Sequence, residues 1–129
     1  MVYNNTERFA LGGMIFEYDL DKNDRNIKKH GISLKNAAHV FFDYDRIELY
    51  DEAHSDFEDR YNTIGDVSVG NTIIGNVGNH VGQINDILFV VYTERCTVVS
   101  EGKMTDVIRL ISARMATNFE RGLYYGKYN

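Results

Sequence analysis

The sequence holds one cysteine, Cys96, in 129 residues. An internal disulfide is excluded, and no Cys/His spacing of the zinc-ribbon kind occurs, so the chain is expected in a reducing compartment, by default the cytoplasm. It lacks any apolar run near the roughly 20 residues that span a bilayer. Its start, MVYNNTERFALGG, lacks the apolar core of a secretory signal, so a soluble, unexported protein with no membrane partner is expected. It also lacks a basic excess: 14 Lys and Arg face 19 Asp and Glu, a net charge of -5. Nucleic-acid affinity rests largely on Lys and Arg releasing counterions from phosphate, so binding by bulk charge is excluded and any such site must be local. The deficit is uneven. Residues 1–59 carry seven Lys/Arg against thirteen Asp/Glu, whereas residues 60–129 carry seven against six, giving -6 and +1. The second half is where an anion is expected.

What is present suits one domain with one core: 43% of residues are hydrophobic, with nine Tyr and seven Phe. Residues 1–13 end in Gly12-Gly13 before a second methionine, Met14, and are expected to be a tag or flexible extension ahead of a single domain over 14–129. IFEY (15–18) alternates as a short strand. Asp21 and Asp24 at one end and Lys28, Lys29 and His30 before Gly31 at the other mark a short helix, with charges matched to its dipole. Leu34, Ala37, Ala38 and Phe41 recur at i, i+3, i+4 and i+7, predicting a second helix that starts at Ser33. From Arg46 the period falls to two, in RIELY and again in RYNTIG, and ILFVVYT (87–93) and VIRLISA (107–113) read as further strands. Thr117 and Glu120 form a capping box for a closing helix. The expected fold is α+β: a small antiparallel sheet flanked by helices, in the order β-α-α-β-β-β-β-α.

Residues 65–86 hold five of the eleven glycines and repeat loosely as IGDV and IGNV, which suggests a glycine-rich insert over about 66–86, a long hairpin or a local duplication. A phosphate-cradling loop is the functional alternative. No Lys-Ser/Thr ending and no following helix complete such a loop.

The chemistry falls on a few ionisable residues. Arg109 sits inside the strand VIRLISA on the face of Val107 and Ile111, Arg114 ends it, Arg121 opens the last helix, and Arg95 ends the neighbouring strand. Such guanidinium groups match phosphate geometry with fixed donors and permanent charge. The bland alternative is ion pairing with Glu94, Asp106 and Glu120. Lys28 and Lys29 are explained by the helix dipole alone. His30 is also the ordinary residue for moving a proton near neutral pH, and His54 is a second exposed candidate. His39 and His80 are expected to be surface residues, and Cys96 a buried or incidental thiol. The eight carboxylates of residues 43–59 begin an EF-hand pattern only at Asp43 and Asp45, so they read as a solvated face or a docking face for a basic partner.

FEYD, NIKKHGISLKNAAHVFFD, HSDFEDRYNTIG, VVYTER and VIRLISARMATNFER together resemble the BrnT toxins, a bacterial family long known as a domain of unknown function and placed among RelE-like ribonucleases. The similarity runs over about residues 14–125, and its KHG and RxISAR-x-AT-xxER blocks are specific. The resemblance implies a RelE-like sheet with an RNA site on its surface near the last strand and helix. It also implies a toxin of a type II toxin-antitoxin module: a metal-independent endoribonuclease without cofactor that arrests translation and growth. Its expected partners are RNA and a BrnA-like antitoxin, in a heterotetramer or larger complex, with operator DNA reached only through the antitoxin. Carried over residue by residue, Lys29, His30, Arg60, Arg109 and Arg114 are the expected catalytic residues. Arg95, Arg121, Tyr124 and Tyr125 are the expected RNA contacts. The glycine-rich segment and CTVVSEGKMTD both lengthen connections relative to the family pattern, leaving substrate preference open. The competing readings are a non-catalytic module that docks an antitoxin-like partner and, more remotely, a metal nuclease using the acidic stretch.

Overall fold

A computed structural model describes residues 5–73 and 86–126. Six strands build the sheet: β1 (Thr6–Leu11), β2 (Met14–Asp19), β3 (Ile47–Tyr50), β4 (Arg60–Asp66), β5 (Ile87–Ser100) and β6 (Lys103–Met115). Their spatial order is β1-β2-β6-β5-β4-β3. The helices are α1 (Leu20–His30), α2 (Leu34–Ala37), α3 (Val67–Ile73) and α4 (Asn118–Gly126), with 3-10 turns at Ala38–Phe42 and Glu52–His54.

The architecture is α+β, but the sheet is mixed and not purely antiparallel. β2 runs parallel to β6 through Phe16, Glu17 and Tyr18 opposite Ile108, Arg109 and Leu110, while every other pairing is antiparallel. The expected order also lacked two elements. Residues 6–11, expected within a flexible extension, form edge strand β1 on β2. Gly12 and Gly13, at φ 55° and 83°, make the two-residue turn between them, a conformation that side chains with a Cβ resist. Val67–Ile73, expected inside a hairpin-like insert, is helix α3, whose first turn is capped by the Asp66 carboxylate accepting from the Ser68 and Val69 amides. The rest of that insert lies outside the described residues.

The helices start and stop where local chemistry directs. Asp19, rather than Asp21, caps α1 by accepting from the amides of Asp21 and Lys22, and Gly31 closes it in the left-handed region at φ 73°. Ser33 Oγ caps α2 through the Asn36 amide. The predicted stripe of Leu34, Ala37, Ala38 and Phe41 is buried as expected, though its second half tightens into a 3-10 turn. These residues, with Val40, cover one sheet face made of Phe16, Tyr18, Leu88, Val90, Tyr92, Leu110 and Ala113. Each fully buried large apolar side chain there contributes roughly 1.5–3 kcal/mol. Among the described residues, the opposite face is covered at one corner, where α4 lays Tyr124 over Ile64, Ile87 and Ala116.

A bulge in β6 decides which face each arginine joins. Val91 pairs with Ser112 but Tyr92 with Leu110, so Ile111 has no opposite residue. Arg109 and Arg114, five apart, would sit on opposite faces of an unbroken strand. The extra residue returns Ser112 and Arg114 to the face of Arg109 and turns Ala113 into the core beside Leu110.

Candidate functional site

The open face carries a row of charge across five strands. Arg8, Glu17, Arg109, Thr93 and Arg60 stand opposite one another in register on β1, β2, β6, β5 and β4. Glu17 is the hub, with its side chain only 4% exposed. Arg8 donates to its Oε1 at 2.7 Å, Arg109 to its Oε2 at 2.8 Å, and Arg95 stands 3.7 Å away while also donating to Glu58. Burial alone would push this carboxyl up, but the guanidinium groups of Arg8 and Arg109 outweigh it and hold Glu17 below the usual carboxylate range. One carboxylate thus fixes three arginines and leaves a positive surplus, lined also by Thr6 and Thr97.

A second cationic region lies one step along the same side. β2 ends at Asp19, and α1 takes its place beside β6. There the Asn26 amide substitutes for a strand partner: its Oδ1 accepts from the Ala113 amide at 3.1 Å and its Nδ2 donates to the Ala113 carbonyl at 2.9 Å. Between helix and strand a cleft of about 560 Å³ is lined by Lys22, Arg25, Lys29, His30, Ser112 and Arg114, with no carboxylate among its lining residues. The helix spacing explains the cluster, since residues 22, 25, 26 and 29 share one face at i, i+3, i+4 and i+7. Arg114 is held in a fixed pose. Its two terminal nitrogens bind Glu120 at 2.8 and 2.9 Å, and its guanidinium covers the Phe89 ring at 4.1 Å. The Glu120 carboxylate raises the arginine's already high pKa, and Arg114 in turn holds Glu120 below the carboxylate range.

The expected site residues therefore divide. Lys29, His30 and Arg114 come together in the cleft. Arg109 and Arg95 belong to the Glu17 cluster, and Arg60 lies beyond Thr93 in the same row, beside His54, Asp56 and Glu58. Arg121 does not join Arg95. It turns back on its own helix start, donating to the Ala116 carbonyl and to Asn118. Tyr124 is a correction. It is 6% exposed, its hydroxyl donates to the buried Asp43 carboxylate at 2.6 Å, and burial with that carboxylate pushes its pKa far up, so it offers no ring to RNA. Tyr125 is 60% exposed and meets the Tyr124 ring edge-on at 5.3 Å. Of the expected neutralising partners, only Glu120 pairs as anticipated; Glu17 and Glu58 take the roles given to Glu94 and Asp106. His39 is buried, against expectation, with Nδ1 on the Asn36 carbonyl, and Cys96 is exposed near the tip of the β5–β6 hairpin.

Sequence reading missed Arg8, Glu17, Lys22, Arg25 and Ser112. For Lys22 and Arg25 the i, i+3, i+7 spacing with Lys29 was an available signal. Glu17 and Arg109 are 92 positions apart, and only the parallel pairing of β2 with β6 joins them.

Among the described residues, no three His, Cys, Asp or Glu side chains gather as metal ligands, and no helix is long and apolar enough to cross a membrane. No curated protein is significantly similar to the chain. The family model for BrnT, the ribonuclease toxin of a type II toxin-antitoxin system, matches residues 18–120, and the chain belongs to that family of RNA-cleaving toxins, each the partner of an antitoxin.

Proposed function

We propose that the chain is a metal-independent endoribonuclease whose scissile phosphate sits in the cleft between α1 and β6. The observation that carries this reading is the cleft's lining: Lys22, Arg25, Lys29 and Arg114 around His30 and Ser112, with no carboxylate among them. Such a site attracts a phosphodiester and gives a divalent ion no anionic oxygen to bind. The RNA 2′-oxygen attacks the adjacent phosphorus and the bond to the 5′-oxygen breaks, leaving a 2′,3′-cyclic phosphate and a free 5′-hydroxyl. His30 and Lys29 are the proton carriers, one accepting the 2′-hydroxyl proton and the other delivering a proton to the leaving 5′-oxygen. Arg114, preoriented by Glu120 and Phe89, stabilises the charge that grows on the phosphoryl oxygens. Arg109, Arg95 and Arg60 guide the strand along the open face, and Tyr125 stacks a base, which is worth roughly 1–3 kcal/mol. RNA cleavage in the cytoplasm would stop translation and growth until a BrnA-like antitoxin, in a heterotetramer or larger assembly, covers the toxin and links it to operator DNA.

A second reading is a non-catalytic docking module. It draws on the fact that Arg8, Arg95, Arg109 and Arg114 all already have carboxylate partners. The test is incubation of the purified, partner-free chain with a defined RNA in excess EDTA, with mapping of the new ends. Cyclic-phosphate ends are expected. RNA that stays intact, also with ribosomes present, together with harmless expression in the absence of antitoxin, would favour the docking module.

A further inference from the structure

On the helix-covered side of the sheet, away from the arginines, a row of rings crosses the strands. Tyr50, Tyr61 and Tyr92 stand opposite one another on β3, β4 and β5, and the row continues through Leu110 to Tyr18. Where the helical cover stops, these rings line a second cleft of about 440 Å³. Its walls are Met14, Phe41, Leu49 and Ile108, and its charged residues are Arg46, Glu48 and Glu94. Tyr61 and Tyr92 lie nearly parallel at 5.5 Å, while Tyr50 meets Tyr61 at 5.7 Å and Phe41 meets Tyr92 at 4.9 Å, both steeply inclined. The rings are fixed by hydroxyl contacts. Tyr92 donates to Glu48 at 3.0 Å and Tyr50 to Asp59 at 3.0 Å.

The cleft is acidic as well as aromatic. Arg46 is occupied by Glu48 and by the Asp43 carbonyl, whereas the Glu94 carboxylate has no partner among the described residues. The surrounding field appears in the tyrosines: burial raises the Tyr61 pKa with Asp59 and Glu94 adding to it, and burial raises that of Tyr92 with Glu48 and Glu94. An RNA phosphate is repelled by such a rim. A cation is drawn in, and a flat guanidinium satisfies both features at once, stacking on tyrosine faces and donating to a carboxylate.

We propose that this aromatic and acidic cleft is a docking pocket for a protein partner, taking one exposed arginine side chain against the accessible rings of Tyr50 and Tyr61 and the carboxylate of Glu94, with the buried Tyr92 ring backing Tyr61. The pocket is separate from the ribonuclease site, so the inference stands whether or not the cleavage reading does.

The test is an NMR titration of the full chain, following the tyrosine ring resonances, with acetyl-Ala-Arg-Ala-amide, with its neutral citrulline counterpart, and with adenosine 5′-monophosphate. The arginine peptide is expected to shift the rings of Tyr50 and Tyr61 saturably. The citrulline peptide is expected to bind at least about tenfold more weakly. Glu94→Gln and Tyr50→Leu, both at exposed positions, are each expected to weaken the arginine peptide about threefold or more, while Glu94→Gln cleaves RNA as wild type does. Equal titration by the arginine and citrulline peptides would overturn the proposal. So would undiminished binding to Glu94→Gln, or ring shifts produced by the nucleotide and not by the arginine peptide, which would make the cleft a base-binding site.

Discussion

The two faces of the sheet are built from adjacent residues of the same strands, yet they differ in nearly every property. Arg60 and Tyr61, Thr93 and Tyr92, Arg109 and Leu110, Glu17 and Tyr18, and Arg8 and Glu7 each contribute one residue to the charged row and one to the other face. A single step along a strand passes from guanidinium groups to packed rings. On the helix side Phe16, Val90 and Leu110 are buried and stacked under α2. On the open side the binding forces are ion pairs whose arginines remain 18–42% exposed. Burial of a large apolar side chain contributes roughly 1.5–3 kcal/mol, whereas an exposed ion pair contributes roughly 0–1 kcal/mol. The larger apolar core therefore lies on one face, while the other combines the available charge with a smaller cluster under α4. The alternation lets one short sheet hold a core and an anion site without compromise between them.

Substitutions on the two faces should separate these roles. The largest effect on stability is expected from Phe16→Ala, a loss of about 3–5 kcal/mol in denaturant unfolding, because its ring contacts Phe9, Phe41 and Phe42 in a fully buried site. Cleavage by the fraction that remains folded should be unchanged. Arg114→Ala should do the reverse: cleavage falls by about 10²- to 10³-fold, and unfolding free energy by no more than about 1–2 kcal/mol. A variant that lost stability and kept its rate would assign Arg114 to the fold and erase the contrast.

Glu17→Gln sharpens the comparison from the charged side. Losing the hub of three arginines should lower stability at pH 7 by about 1–3 kcal/mol. The sign with pH follows from a carboxyl held below its ordinary value of 4.5. Its contribution is complete above about pH 4.5 and disappears as pH falls through the lower, folded value. Unfolding curves of wild type and Glu17→Gln should thus be well separated at neutral pH and converge in acid. A gap that stays constant from pH 7 to 3 would show that the hub's charge does not matter. The smallest effect is expected from Thr117→Ala, about 1 kcal/mol. Its hydroxyl accepts from the Glu120 amide while Glu120 accepts from the Thr117 amide, the capping box that also positions the carboxylate on Arg114. A drop in cleavage larger than the drop in stability would show that α4 orients the arginine.

How much of this was legible in the sequence follows from how local each cause is. Caps and apolar stripes are local, so α1, α2 and α4 were readable from Gly31, Ser33, Thr117 and the Leu34 to Phe41 spacing. Alternation identified β2, β3 and β4, and apolar runs identified β5 and β6. The Gly12-Gly13 pair reads equally as the end of a flexible extension and as a hairpin turn, since glycines between two alternating runs also mark such a turn. The parallel contact of β2 with β6 and the bulge at Ile111 depend on register, which no short window displays. That is why KHG and RLISAR could be singled out without revealing that Lys29, His30 and Arg114 share one cleft while Arg109 answers to Glu17. In α4 both Tyr124 and Tyr125 looked available. The helix rotates one onto Ile64 and Ala116 and leaves the other in solvent, with Phe119 exposed as well.

The central claim, attack by the RNA's own 2′-hydroxyl in a cleft that supplies cations and proton carriers but no carboxylate, has one direct test. Once a cleavage position is mapped, an otherwise identical RNA with a single 2′-deoxy residue 5′ to that bond is incubated with the chain in excess EDTA. The account predicts no cut at that bond while other sites are still cut. Cleavage there at the rate of the all-ribose strand would contradict it.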